Sequence, residues 1–214
     1  MQPKPSIKKQ SWKPGNMLSP APAVLVSCGG IKEWKPNLIT VAWAGTVCTN
    51  PPMLSISVRP ERYSYDIIRQ TGEFVVNVPT AKQAKVTDWC GVVSGREHDK
   101  FKKTGLTPAP ALKVKCPVAL ECPVNIECRV TQTLNLGSHV MFIAEVVAVQ
   151  VSSELIDAKG KLRLEKAGLI AFVHGEYFAL GPYLGHFGFS IRKHKPAPTG
   201  KRKPHERAKR KPRT

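Results

Sequence analysis

The chain has 214 residues, 42% of them hydrophobic and 22% charged, the balance of a globular protein with a sizeable core. No apolar run reaches the ~18–20 residues a membrane-crossing helix needs, and the opening "MQPKPSIKKQSWKPGNMLSP" has no apolar block of the secretory kind. A membrane span and export are therefore not expected, and a cytoplasmic location is the default. The formal net charge of +18 comes from 33 Lys/Arg against 15 Asp/Glu and is unevenly spread.

Residues 1–17 read as an N-terminal extension. A first short strand is expected at Ala23–Ser27, then a turn through Gly29–Pro36 and a second strand at Leu38–Ala44. The corner Cys48-Thr49-Asn50-Pro51-Pro52 stops it, because two prolines in a row remove two backbone donors. Met53–Val58 alternates like a third strand. Ser64 is placed as the N-cap of a helix that carries Asp66 in its first turn and stops at Gly72. Glu73–Val78 follows as a strand ended by Pro79. Thr80 caps a second helix through Trp89, with Gly91 beyond it, and Glu97–Lys103 forms a third, with Gly105 past its end. The second half is strand-rich: Val118–Gly137 as one long strand or two with Pro123 at a bend, His139–Ser153, and Leu169–Leu180 turning at Gly175. These elements predict a mainly β domain over residues 18–192, a closed antiparallel barrel with short peripheral helices.

Residues 193–214 have no apolar periodicity and read as a basic disordered tail. From Arg192 to Thr214 there are 11 Lys/Arg and one Glu. A solvated tail that binds nothing in particular is one reading. Weak contact with nucleic acid or another polyanion is the other. The six cysteines include Cys116, Cys122 and Cys128, spaced by six, which lie ~20 Å apart along a strand and so are too distant to share a metal. Buried structural thiols are expected, with a redox or metal role as the alternative and no metal-site residues assigned.

Asn37, Thr40, Trp43, Thr46 and Thr49 recur about every third residue, which fits either a strand with its turn or one wall of a ligand pocket. Arg59, Arg62 and Ser64 stand at the start of the first helix, where backbone N–H groups and partial positive charge suit a phosphate, the alternative being an ordinary capped surface helix. His139 opens a strand. Lys100 in "HDKFKK" and Phe172 in "LIAFVHG" read, by themselves, as solvated and core residues.

Taken together, "NLITVAWAGTVCTNPPMLSISVRPERYSYDII", "EFVVNVP", "HDKF", "GSHVMFIAEVV" and "HGEYFALGPYLGHFGFS" resemble the flavin reductase-like family, the FMN-binding split barrels, and within it the flavoredoxin type. The resemblance runs from about Pro20 to Arg192. It implies a homodimer of split β-barrels that holds FMN non-covalently, takes electrons from NAD(P)H, and passes them to a small-molecule or protein acceptor. The alternative is an electron carrier reduced by a partner protein. It places Asn37, Thr40 and Trp43 along the flavin ring, Cys48, Thr49 and Asn50 near the ring and ribityl chain, and Arg59 and Ser64 at the phosphate. Lys100 and His139 become polar contacts to the flavin and Phe172 an apolar one. No residue is implied as a covalent catalyst. The sequence departs from the family pattern at Ser138 and Ala144, and the basic tail has no counterpart in it.

Overall fold

The computed structural model describes residues 7–191; the basic tail predicted for residues 193–214 lies outside them. The chain divides into two compact units, Met1–Leu180 and Gly181–Thr214. In the second, the described residues include one 3-10 turn, Phe189–Ile191. The first unit contains, in order, β1 (Ala21–Pro22), β2 (Val24–Cys28), β3 (Asn37–Val41), β4 (Ala44–Cys48), β5 (Met53–Val58), α1 (Tyr63–Thr71) and β6 (Glu73–Val78). After these come α2 (Ala84–Val92), α3 (Lys100–Thr104), β7 (Pro108–Ala109), β8 (Val118–Ala119), β9 (Val124–Asn135), β10 (Val140–Val151), β11 (Ile170–Val173) and β12 (Glu176–Ala179). Among the described residues no helix is long and apolar enough to cross a membrane.

Seven strands form one antiparallel sheet in the order β3-β2-β6-β9-β10-β5-β4. Its two edge strands, β3 and β4, are consecutive in the chain and separated only by Ala42 and Trp43. The sheet must therefore curl until its edges approach at this two-residue corner. No ladder joins β3 to β4, so the strands do not describe the closed barrel expected from the sequence. The cause is local. The predicted strand Leu38–Ala44 breaks at Ala42 and restarts as β4, so one segment supplies both rims and then departs from one of them.

Burial explains why β2 reads as a continuous apolar run. Val24, Val26 and Cys28 face the main core inside the curl with Ile56, Phe74 and Phe142. On the opposite face Leu25 meets Leu38, Cys90 and Phe101 beneath α2 and α3. A strand covered on both sides shows no polar alternation. The long β9–β10 hairpin bends through two register shifts, at Ile143/Ala144 and Val146/Ala148, and such bulges increase local twist. A second, small sheet, β1-β11-β12, carries the C-terminal hairpin.

Helix ends follow the expected chemistry in part. Gly72 and Gly105 close α1 and α3 in the left-handed conformation, at φ 66 and 73, as glycine allows. Ser64, expected as an N-cap, lies inside α1, whose N-cap is Arg62; its hydroxyl instead accepts a hydrogen bond from Asn37 Nδ2 at 2.8 Å. Thr80 caps a 3-10 turn, Ala81–Gln83, that feeds α2, and Gly91 lies within α2 rather than after it. The predicted third helix begins three residues later, at Lys100, because Asp99 accepts from the Lys102 N–H at 3.1 Å.

All six cysteines are free, and five are buried. Cys116 and Cys122 lie in loops rather than on a strand with Cys128. Burial pushes Cys28 up to about 12 and Cys90 up to about 11, which keeps both as neutral thiols near pH 7.

Candidate functional site

A cavity of about 350 Å³ opens where the two rims of the sheet approach, at the lower end of the ~300–1,000 Å³ typical of cofactor sites. One wall is the end of β3, Ile39 to Val41, running on into Trp43. The end of β5 supplies Ser57, Val58 and Arg59, and Arg62 stands beside them at the start of α1. Asp88, Gly91 and Val92 come from α2, a spacing that puts all three on one helix face. The β11–β12 hairpin adds Phe172 and Tyr177, and His139 comes from the β9–β10 turn.

Each wall has a physical cause. Thr40 Oγ1 donates to the Thr87 carbonyl of α2, and a Cβ added at Gly91 would stand 3.2 Å from Thr40 Cβ. The helix thus approaches β3 closely because position 91 has no side chain. Phe172 and Tyr177 are directly opposed across the hairpin, with ring centroids 5.4 Å apart and edge-on. Burial, with Asp88 nearby, raises the Tyr177 hydroxyl pKa above its ordinary value. Trp43 and His139 lie nearly parallel, 8° apart with centroids at 6.2 Å, and Ser138 Oγ sits 2.9 Å from His139 Nδ1.

Behind this cavity lies a smaller one of about 150 Å³, sharing Ile39 and Arg62 with it. It contains Asn37, Ser64, Cys90 and Lys100, all buried. Lys100 is only 3% exposed, and its Nζ donates to the Cys90 carbonyl at 2.7 Å. Burial lowers its pKa to about 8, and neighbouring Arg62 pushes it the same way. Among the described residues neither Lys100 nor Arg62 has an ion-pair partner, whereas Arg59 is paired with Glu61 at 2.7 Å. The loop over this chamber is held down by Arg96, which donates to the Glu61 carbonyl at 3.0 Å and lies 5.3 Å over the Tyr63 ring.

Of the residues singled out in the sequence, Thr40, Trp43, Arg59, His139 and Phe172 share the larger cavity. Asn37, Ser64 and Lys100 share the inner one. Cys48, Thr49 and Asn50 fall at the far end of β4 and its turn into β5, and line neither. The third-residue polar pattern does not form one wall. On a strand, residues three apart point to opposite faces, and Asn37 bonds α1 while Thr40 bonds α2. Arg62, expected beside Arg59 at the start of the first helix, does line the larger cavity, whereas Asp88 and Tyr177 were absent from the sequence-derived site. Tyr177 was accessible in principle, because a two-residue turn at His174-Gly175 makes it the cross-strand partner of Phe172. Among the described residues no group of His, Cys, Asp and Glu could hold a metal.

The curled antiparallel sheet, with a ring-sized slot at its open seam and cations behind it, has the form of a flavin-holding domain. Residues 17–180 match the family described as "Flavin reductase like domain", and the chain belongs to that family of flavoproteins. The solved flavoredoxin of Desulfovibrio vulgaris (Miyazaki F) superposes with a TM-score of 0.80 at 29% identity, covering 86% of this chain and 100% of that one. Flavoredoxin from Methanosarcina acetivorans gives 0.74 at 31% identity, with coverage of 86% and 100%. An uncharacterized protein of Archaeoglobus fulgidus is 35% identical over 125 residues, 58% of this chain and 71% of that protein.

Proposed function

We propose that this chain is an FMN-dependent oxidoreductase that takes reducing equivalents from NAD(P)H and hands them to a second flavin, a ferric complex or a small electron carrier. The observation that carries this reading is an aromatic-edged cavity bordered by Arg59 and Arg62, with Lys100 buried and without an ion-pair partner among the described residues in the chamber that adjoins it. A neutral ligand would leave the buried Lys100 charge uncompensated, whereas a flat ring ending in a phosphate would answer both the aromatic edge and the cations.

On this reading Arg59, Arg62 and the start of α1 hold the phosphate, with Lys100 behind them. Trp43, His139, Phe172 and Thr40 border the ring, and Asn37 and Ser64 keep the inner wall rigid through their mutual hydrogen bond. Trp43 and Phe172 cover apolar ring surface. His139, which borders the ring, stabilises negative charge on a reduced cofactor, and Lys100 adds positive potential from the phosphate end. Bound flavin supplies hydride acceptance and electron release, chemistry the side chains lack. The cavity gives no role to Cys48, Thr49 or Asn50.

A second reading, a flavin carrier reduced by a partner protein, is favoured by the full-length likeness to two flavoredoxins. Stopped-flow mixing with NADH or NADPH separates the two. Rapid bleaching of the yellow band supports the reductase; bleaching only with a partner reductase supports the carrier. Protein that stays colourless when saturated with FMN refutes both. We also propose a homodimer. Met17, Leu18, Trp43 and Val47 form an exposed apolar surface around a further cavity of about 1,060 Å³, the kind of patch a partner covers. Sedimentation at the mass of a monomer counts against it.

A further inference from the structure

The flavin site leaves most of the chain's charge unused, and we propose that the two ends of the chain bind the phosphate backbone of nucleic acid and tether the flavoprotein domain to it. Residues 17–180, which match the family, carry 18 Lys/Arg and 14 Asp/Glu, a net +4. The other 50 residues carry 15 Lys/Arg and one Glu, a net +14. The excess therefore sits on the additions to the family domain and not on the domain.

The described part of these additions is open to solvent. Lys8, Lys9 and Lys13 are exposed, and no ion pair among the described residues uses them. The first acidic residue of the chain is Glu33. Trp12 lies between Lys9 and Lys13 and is 73% exposed. An exposed indole among cations can stack on an unpaired base while its neighbours meet phosphates.

The chemistry also selects among polyanions. Residues 192–214 contain no Leu, Ile, Val, Met, Phe, Trp or Tyr, so they offer nothing to insert into a bilayer. Their two triple-basic runs, 201–203 and 209–211, gain most from the polymer of highest linear charge density. Duplex DNA carries one charge per ~1.7 Å, and each neutralised phosphate releases counterions.

The experiment is fluorescence anisotropy of the full chain with labelled single-stranded RNA and with duplex DNA of equal length. Both should bind at low salt, and between ~50 and ~200 mM salt affinity should fall by at least about 10³-fold for the duplex and about 300-fold for the single strand, as for six or more phosphate contacts. Tighter binding of the single strand assigns a stacking role to Trp12; equal binding assigns contact by charge alone. A full-length variant with Lys201, Arg202, Lys203, Lys209, Arg210 and Lys211 each changed to Gln should lower the log–log salt slope by about 5. Its FMN titration should be unchanged, which keeps loss of fold distinguishable from loss of contact. The proposal is overturned by no binding at low salt or by an unaltered slope in the variant. Competition by phosphatidylserine vesicles or polyglutamate as strong as by RNA, at equal charge, also overturns it.

Discussion

Lys100→Met should stabilise the protein without flavin while weakening its hold on FMN, an opposition that an ordinary surface or core lysine would not show. Lys100 is 3% exposed and its pKa falls from 10.5 to about 8. At ~1.4 kcal/mol per pH unit that drop corresponds to roughly 3 kcal/mol spent keeping the charge buried at neutral pH. Removing the lysine also leaves the Cys90 carbonyl without its donor, which returns about 1 kcal/mol. The net gain for the variant at pH 7 is thus about 2 kcal/mol. The pH dependence has a definite sign. Below pH 8 both folded and unfolded Lys100 are charged, so the difference is flat. Between 8 and 10.5 the unfolded chain holds a proton the fold has released, so this group's contribution to stability rises with pH. The advantage of the Met variant should shrink by about 1 kcal/mol from pH 8 to 9 and reach zero at about pH 10. The Lys100 charge lowers the neighbouring Cys28 and Cys90 thiols, but burial holds them up to about 12 and about 11, so both stay neutral in the folded state of either protein up to pH 9 and cancel over that range. Urea unfolding of apoprotein at pH 7, 8 and 9, with FMN titration beside it, measures all of this. A Met variant less stable than its parent by the same amount at every pH would refute the reasoning.

Trp43→Ala should weaken FMN by ~1–2 kcal/mol, the scale of a lost aromatic contact and its buried area; unchanged affinity by fluorescence titration would remove Trp43 from the site. Gly95→Ala should destabilise by ~1–3 kcal/mol, because its Cβ would lie 2.7 Å from Asn37 Cγ and 2.9 Å from Tyr63 Cδ1. Its urea midpoint should fall while Gly45→Ala, whose Cβ meets nothing within 4 Å, keeps the parent value. Glu127 is buried, and although burial alone would raise its pKa, bonds from the backbone N–H groups of Leu112, Lys113 and Val114 and from Gln150 bring it below its ordinary value of 4.5. Its stabilisation is present above the ordinary carboxylate range and is lost as pH falls through the lowered value. Glu127→Gln should cost ~1.5–3 kcal/mol at pH 7 and flatten the acid limb of stability.

Elements whose ends are written in their own residues were legible in the sequence. Gly72 and Gly105 mark helix ends because only glycine takes their backbone angles without cost, and Pro79 closes β6. What escaped was set by partners distant in the chain. Ser64 has the chemistry of a cap, but Asn37, 27 residues away, claims its hydroxyl. Lys100 sits among charged neighbours and reads as solvated. The Asp99 cap fixes the helix phase so that Lys100 and Phe101 turn inward while Lys102 stays exposed. β4 escaped because "AGTVC" has little alternation and a mostly exposed face. The expected pocket residues came from likeness to a family, not from periodicity. The structure divides them between two chambers, adds Asp88 and Tyr177 to the larger, and buries Lys100 in the smaller.

The two-residue corner at Ala42–Trp43 also bears on how the protein matures. The slot it borders draws on β3 early in the chain, on α2 in the middle and on the β11–β12 hairpin near the end of the first unit. Pairings that span so much sequence form slowly, and no nascent fragment can build the slot before residue 177 has emerged. Colour acquired during refolding is therefore a clock for completion: yellow should appear with the last kinetic phase, after the β9–β10 ribbon has already formed.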